Sequence, residues 1–555
     1  MRALTPRTKL ETLRKEAKRW LKALRAGDTK AAGRLKAAYP QAPAAAGLRD
    51  IQHALALEYG YAGWAALKAA LADLARPRES NVDRLDTLLR HGWTGQTKAG
   101  ERIIARHPEL GTHDVFTAAT CGAIDEVERR LTREPDAARR IGGAMNWTAL
   151  AYVTYGRLDP VNGVAIARRL LAAGADPNFQ FDDGWGSPFT VLTGAIGMGE
   201  GAKLPHAQAS ELVQLLVHAG AEPYDLQALY NISIVGDDVS WYELLWRLCE
   251  QKGHLDRWRI AADGRLGWHV AKNSLDYLLG NAVGQNHARR VEWLLERGAD
   301  PNTTHHQTRG SLLALAQLSG FQEIAAALEA YGAIAPKLTR LEALIAACMR
   351  HDRAAAQAML AVEPALIRDP HLLLAAAAHR NTAATEMLLG FGADPRGLAG
   401  DGISPLHRAV QAGSWAVADL LLKAGAEIDL RECKWKGTPL SWAVVLKQPH
   451  MAEKLAPLSR DVRALASLAD VPRLQAVLSE QPALANHWLD HEESPTPLFC
   501  LPDDDDAAIE IVEILLRHGA DPKLRNRRGE TPAEAARRRG LDDAADLIEE
   551  ASRGA

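Results

Sequence analysis

A short motif, Gly-Ala followed by Asp or Glu, recurs along the chain and constrains its fold more than any other feature. It stands at Gly174-Ala-Asp-Pro-Asn178, Gly220-Ala-Glu-Pro223, Gly298-Ala-Asp-Pro-Asn302, Gly392-Ala-Asp-Pro395, Gly425-Ala-Glu-Ile428 and Gly519-Ala-Asp-Pro522, with a weaker copy at Gly332-Ala-Ile334. Successive glycines are 46, 78, 34, 60, 33 and 94 residues apart, which reads as one to about three copies of a roughly 33-residue unit between marks. Each glycine ends an amphipathic stretch such as 165–173 or 291–297, the pattern of a helix stopped by a left-handed residue. At 555 residues the chain is too long for one ordinary core. Stacked small units, each burying its helices against its neighbours, meet that length.

A second signature lies upstream of those helices: Ser404-Pro-Leu-His-Arg-Ala409, Thr438-Pro-Leu-Ser-Trp-Ala443, Thr496-Pro-Leu-Phe499 and Thr531-Pro-Ala-Glu-Ala535. Ser or Thr caps a helix whose first residue is Pro, where the missing N–H costs nothing. With both signatures in place, the chain resembles the ankyrin-repeat family, and in particular bacterial proteins with many repeats behind a small helical N-terminal module. Residues 401–426 match nearly the whole unit of two helices and an extended finger. The resemblance implies an all-α solenoid with hairpin fingers. Pieces at 130–139, 359–366 and 477–484 replace Gly-Ala-Asp-Pro by Glu/Gln-Pro-Asp/Ala and look like divergent units, which brings the expected number to about fourteen over residues 80–555. The expected organisation is a basic helical module at 1–75, the array at 80–527 and a polar capping repeat at 528–555.

Charge is concentrated at the N-terminus. Residues 1–36 carry twelve Lys/Arg and three acids, although the whole chain has a net charge of −3. Leu10, Leu13, Ala17, Trp20 and Leu24 form one apolar stripe on a basic helix there. The basic face could meet nucleic acid or a membrane surface; the preferred expectation is a solvated outer face on a helix packed against the first repeat. Five scattered cysteines, no C-x-x-C pair and no apolar run of membrane-spanning length point to a cytoplasmic protein. No cofactor is expected.

Stacking consumes the core positions, so function is expected on fingers and inner helices lining a concave face. Tryptophan outnumbers the other aromatics, 14 against 10 Tyr and 7 Phe. Five fall in predicted fingers off the helical period: Trp147, Trp185, Trp268, Trp435 and Trp488. Polar neighbours accompany them: Asn146; Asp182 and Asp183; His269; Lys434 and Lys436; His487, Asp490, His491, Glu492 and Glu493. His305, His306 and Arg309 occupy another finger. Exposed Trp offers large contact area at low entropic cost, so these residues outline a groove for a protein or peptide partner; packing under the hairpins is the competing reading. Trp241, Trp246, Trp293, Trp415 and Trp442 lie at helical spacing and are expected in the core.

Catalytic motifs are scarce. Gly197-Met-Gly-Glu-Gly-Ala-Lys203 lacks the Gly-Lys-Ser/Thr ending of a phosphate loop, and His487 with His491 falls in a finger, where helical metal spacing does not apply. The alternative to a non-catalytic scaffold is an enzyme with His305, His306, Asp182, Asp183 or Glu492 acting on a small polar or peptide substrate in the groove.

Overall fold

The glycines of the recurring motif all take left-handed backbone, with φ between 82° at Gly519 and 107° at Gly220. Each follows a helix, as Gly298 follows Ala288–Glu296 and Gly425 follows Trp415–Lys423. A Cβ is strained in that conformation, which is why the motif keeps Gly. Four residues further on, a side chain reaches the next such turn. Asn178 donates through Nδ2 to the Gly220 carbonyl and accepts from the Glu222 N–H, both at 2.9 Å. Asn302 holds Gly332 and Ile334 in the same way at 3.2 and 2.7 Å, and Arg396 Nε donates to the Gly425 carbonyl at 3.0 Å. The divergent pieces make equivalent contacts: Arg139 Nε to Gly174 O at 3.0 Å, and Asn486 to Gly519 and Asp521 at 2.6 Å each. These residues follow 3-10 turns at Pro135–Ala138 and Pro482–Asn486.

The structure, a computed structural model, describes residues 2–554 except 3, 5–7, 76–79, 160, 185–187, 201–203, 261–272 and 490–492. It is mostly helical and divides into two units, residues 78–339 and residues 1–77 with 340–555. No helix among the described residues is long and apolar enough to cross a membrane.

Residues 78–339 form successive helix pairs with two short antiparallel hairpins, Ile141–Gly142 with Trp147–Thr148 and Gln180–Phe181 with Phe189–Thr190. Thr148 and Ser311 cap helices Ala149–Tyr155 and Leu312–Ser319 through their side-chain oxygens. Two arginines close helix ends inside this unit. Arg157 gives Nε to Leu204 O, Nη1 to Thr154 O and Gly156 O, and Nη2 to Gly194 O at 2.7–2.9 Å. Arg290, 1% exposed, does the same for Ile232, Ser233, Val235 and Asp238.

His206, 4% exposed, accepts the Gln208 N–H on Nδ1 at 3.0 Å. Burial, assisted by the Arg157 charge, pushes its pKa from 6.5 down to about 4. The unfolded imidazole takes up a proton first on acidification, so stability is held above pH 6.5 and lost as pH falls toward 4. His91, His305 and His306 are shifted in the same direction, chiefly by burial. Lowering the pH from 7.5 to 5 is expected to remove about 2 kcal/mol through His206 alone. Urea unfolding at both pH values checks this, and His206→Gln should shrink the difference.

In the other unit the N-terminal helices Leu10–Arg25, Thr29–Ala38, Leu48–Glu58 and Trp64–Ala75 pack around Leu13, Ala17, Trp20, Ile51, Leu55 and Leu67. Much of the basic face is solvated, with Lys15, Arg19, Lys22 and Arg25 exposed, but Arg14 and Lys18 on it, and Arg49 and Lys68 further along the module, pair with acids of the C-terminal helices Asp505–Arg517 and Asp542–Gly554. Lys18 Nζ lies 3.1 Å from both Asp546 and Glu550, and Lys68 Nζ 3.6 Å from Asp505 and Asp506. Arg49 pairs with Glu510, and Arg14 sits among Asp505, Asp542 and Asp543. Asp542, Asp543, Asp546 and Glu550 of the expected capping repeat are among the module's partners.

Ser404, Thr438 and Thr531 cap their helices as their motif predicts, accepting from His407, Ser441 and Glu534 N–H. Thr496 does not: Pro497–Phe499 is a single 3-10 turn. Pro502 follows closely, and the residue before a proline is driven away from helical backbone.

Candidate functional site

The groove begins with one buried carboxylate. Glu432, 1% exposed, accepts the backbone N–H of Lys434 at 2.6 Å and of Trp435 and Gly437 at 2.9 Å each. Its own N–H closes the finger on Gly437 O at 3.1 Å. Lys436 takes φ 56° at the turn. The finger so fixed presents Trp435, 56% exposed, with Lys434 Nζ 4.3 Å from its ring centroid.

The finger is anchored on both sides. Burial keeps His407 neutral, so Nε2–H donates to Gly437 O at 3.1 Å and Nδ1 accepts from Ser404 Oγ at 2.9 Å. Asp461, 3% exposed, takes the Thr438 hydroxyl at 2.7 Å, lies 3.2 Å from Arg431 Nη2 and caps helix Val462–Ser467. Arg431 Nη1 donates back to Lys436 O at 2.9 Å.

Finger and inner helices enclose a groove of about 600 Å³. Its apolar lining includes Trp435, Trp442, Val445 and Leu446, and Val445 is 78% exposed. Trp442, expected in the core, is half-buried here, edge-on to His407 at 5.1 Å and to Trp435 at 6.3 Å. The charged lining is Arg431, Lys436, Arg463 and Arg539 with one acid, Asp461. Arg463 donates Nε to Cys500 Sγ at 3.4 Å and Nη2 to Ser494 O, and has no acidic partner among the described residues. Arg539 donates to Leu501 O and to fully exposed Asp503, both at 2.8 Å. Burial raises the Cys500 thiol above its ordinary value in spite of Arg463, which disfavours the thiolate form.

The other predicted residues have different surroundings. Trp147 is a correction: at 2% exposure it packs on Tyr155 and Phe181, 4.8 and 4.6 Å away, and offers no contact area. A strand side chain takes one face or the other of its hairpin, and that of Trp147 takes the face toward the helices while Ile141 in the partner strand is exposed. Asn146 and Arg309 hold left-handed turns with φ of 54° and 56°. His305 is 7% exposed, accepts from the Thr308 N–H at 3.3 Å and stacks with His306 at 4.6 Å, while His306 meets Tyr277 at 5.1 Å. Burial depresses both imidazoles below their ordinary value. Asp182 accepts the Gly184 N–H at 2.7 Å as a turn former, and Asp183 edges a cavity of about 470 Å³ floored by Trp93, Tyr155 and Phe189. Trp488 is 49% exposed. Trp185, Trp268, His269, Asp490, His491 and Glu492 lie outside the described residues. Among the described residues no cluster of three His, Cys, Asp or Glu could hold a metal ion.

Sequence reasoning missed Glu432, Arg431, Arg463 and Arg539. Only Glu432 left a signal, an acid a few residues before a Lys-Gly turn.

No curated protein matches the chain by sequence. Among 342 matching chains of solved structures is one from a predatory endopeptidase of Bdellovibrio bacteriovorus in complex with an immunity protein. It is 20% identical over 32% of this chain and 96% of that chain, with a TM-score of 0.24. The family model for ankyrin repeats (3 copies) matches residues 372–465, so three ankyrin repeats occupy that segment, and Glu432, Trp435, Trp442 and Asp461 belong to it.

Proposed function

We propose that the protein is a non-catalytic binding scaffold that holds a protein or peptide partner in the groove at Trp435. The observation that carries this is a finger fixed by a buried carboxylate whose exposed tip is a tryptophan beside Val445 and Leu446. Rigid exposed aromatics next to apolar surface are what binding hot spots are built from. The ankyrin repeats at 372–465 support a protein partner by family habit, which fold alone does not supply. A many-repeat array is supported by left-handed glycines and linking side chains well outside that segment, at Asn178 and Asn302 for example. Five free thiols suit a reducing compartment such as the cytoplasm.

Trp435→Ala tests the reading. The side chain is exposed, so folding should be intact by circular dichroism. Affinity capture beside the unaltered protein should lose a defined subset of partners, with hot-spot truncation costing roughly 2 kcal/mol or more. Identical partners in both captures would end the groove reading.

A further inference from the structure

We infer that the groove takes an acidic peptide segment in which carboxylates flank an aliphatic or aromatic side chain; this rests on reading the groove as a partner site.

The argument is one of uncompensated charge. Arg431 is neutralised by Asp461 at 3.2 Å, and Arg539 meets only a fully exposed Asp503, a pair that water screens. Arg463, Lys434 and Lys436 have no acidic partner among the described residues. Arg463 is held by a carbonyl and a thiol, neutral groups that orient a guanidinium without cancelling its charge. Held this way, it is set to receive a carboxylate with little further loss of side-chain entropy. Lys436 and Arg463 line the same groove as the apolar surface of Trp435, Val445 and Leu446. Acid next to apolar is the complement of that lining, whereas a basic peptide would meet like charge there.

A random-peptide display library selected on the full chain tests this, followed by anisotropy titrations of the recovered peptides. Selected sequences should be enriched in Asp and Glu beside Leu, Phe or Trp. Changing those acids to Asn and Gln should weaken binding about tenfold or more, and Lys436→Glu and Arg463→Gln should each weaken the acidic form by about tenfold. Lys436 is exposed, so its variant tests charge even where Arg463→Gln disturbs local packing. Peptides that depend on Trp435 yet bind equally well in amidated form would overturn the acidic ligand and leave the groove reading standing. Peptides indifferent to all three positions would remove both. Concentration-dependent self-association abolished by Lys436→Glu, with no peptide selected, would overturn the peptide in favour of a second copy of the chain.

Discussion

Replacing Arg14 with alanine is expected to loosen the N-terminal module from the C-terminal helices at a cost of roughly 3–5 kcal/mol. Arg14 Nε lies 2.7 Å from Asp543 Oδ1, at an angle outside hydrogen-bond geometry, with Nη1 3.4 Å from Asp542 and Nη2 3.9 Å from Asp505. Asp543 is 0% exposed, and its other oxygen takes only a 3.3 Å bond from Trp64 Nε1. Burial raises its pKa even with Arg14 present, so desolvation already outweighs the ion pair. Without the guanidinium, the carboxylate must either stay buried without its cation or take up a proton. Asp505, which accepts from the Asp543 and Ala544 N–H groups of helix Asp542–Gly554, loses one of its two cationic neighbours and keeps Lys68. The double variant Arg14→Ala with Asp543→Asn should therefore cost less than the sum of the singles. Hydrogen exchange over 542–554 reads the effect. Lys15→Ala, which breaks only an exposed pair with Glu11, should leave that protection unchanged; equal protection in Arg14→Ala would mean the cluster does not hold the module.

The same stripe explains a failure of sequence reasoning. Twelve cations in 36 residues looked like a free basic face. Lys15, Arg19, Lys22 and Arg25 do stay exposed, but Arg14 and Lys18, and beyond that stretch Arg49 and Lys68, are matched to acids more than four hundred residues away, and no local pattern encodes a partner at that distance. Local devices were legible because their causes are local: a left-handed glycine after a helix, a Ser or Thr cap before proline. The finger tryptophans fall between these cases. Trp147 and Trp435 both break the helical period, but one sits in a strand whose inner face packs on Tyr155, and the other on a turn held out by Glu432. Period excludes a residue from a helix face without saying which side of a hairpin it takes.

Arg290→Lys is expected to be nearly as damaging as Arg290→Ala, each costing roughly 3–5 kcal/mol. The guanidinium ends helix Leu226–Ser233 by giving Nη1 to Ile232 O and Ser233 O at 2.8 and 3.1 Å, Nη2 to Val235 O at 2.8 Å and Nε to Asp238 O at 3.2 Å. A helix leaves its last carbonyls without partners, and here they point into protein. One planar fork reaches two of them and two carbonyls of the loop that follows, over seven residues; a lysine ammonium, with three donors on a single atom, cannot span the same set. The Tyr242 ring, 5.1 Å from the guanidinium carbon, would also lose its cation. A single substitution in a unit of this size should lower its melting midpoint by on the order of 10 °C. The more direct signature is local: amides of 226–235 should exchange faster in both variants, while those of helix Leu312–Ser319 keep their protection. Full protection of 226–235 in Arg290→Lys would show that one positive charge suffices and that the fork geometry contributes nothing.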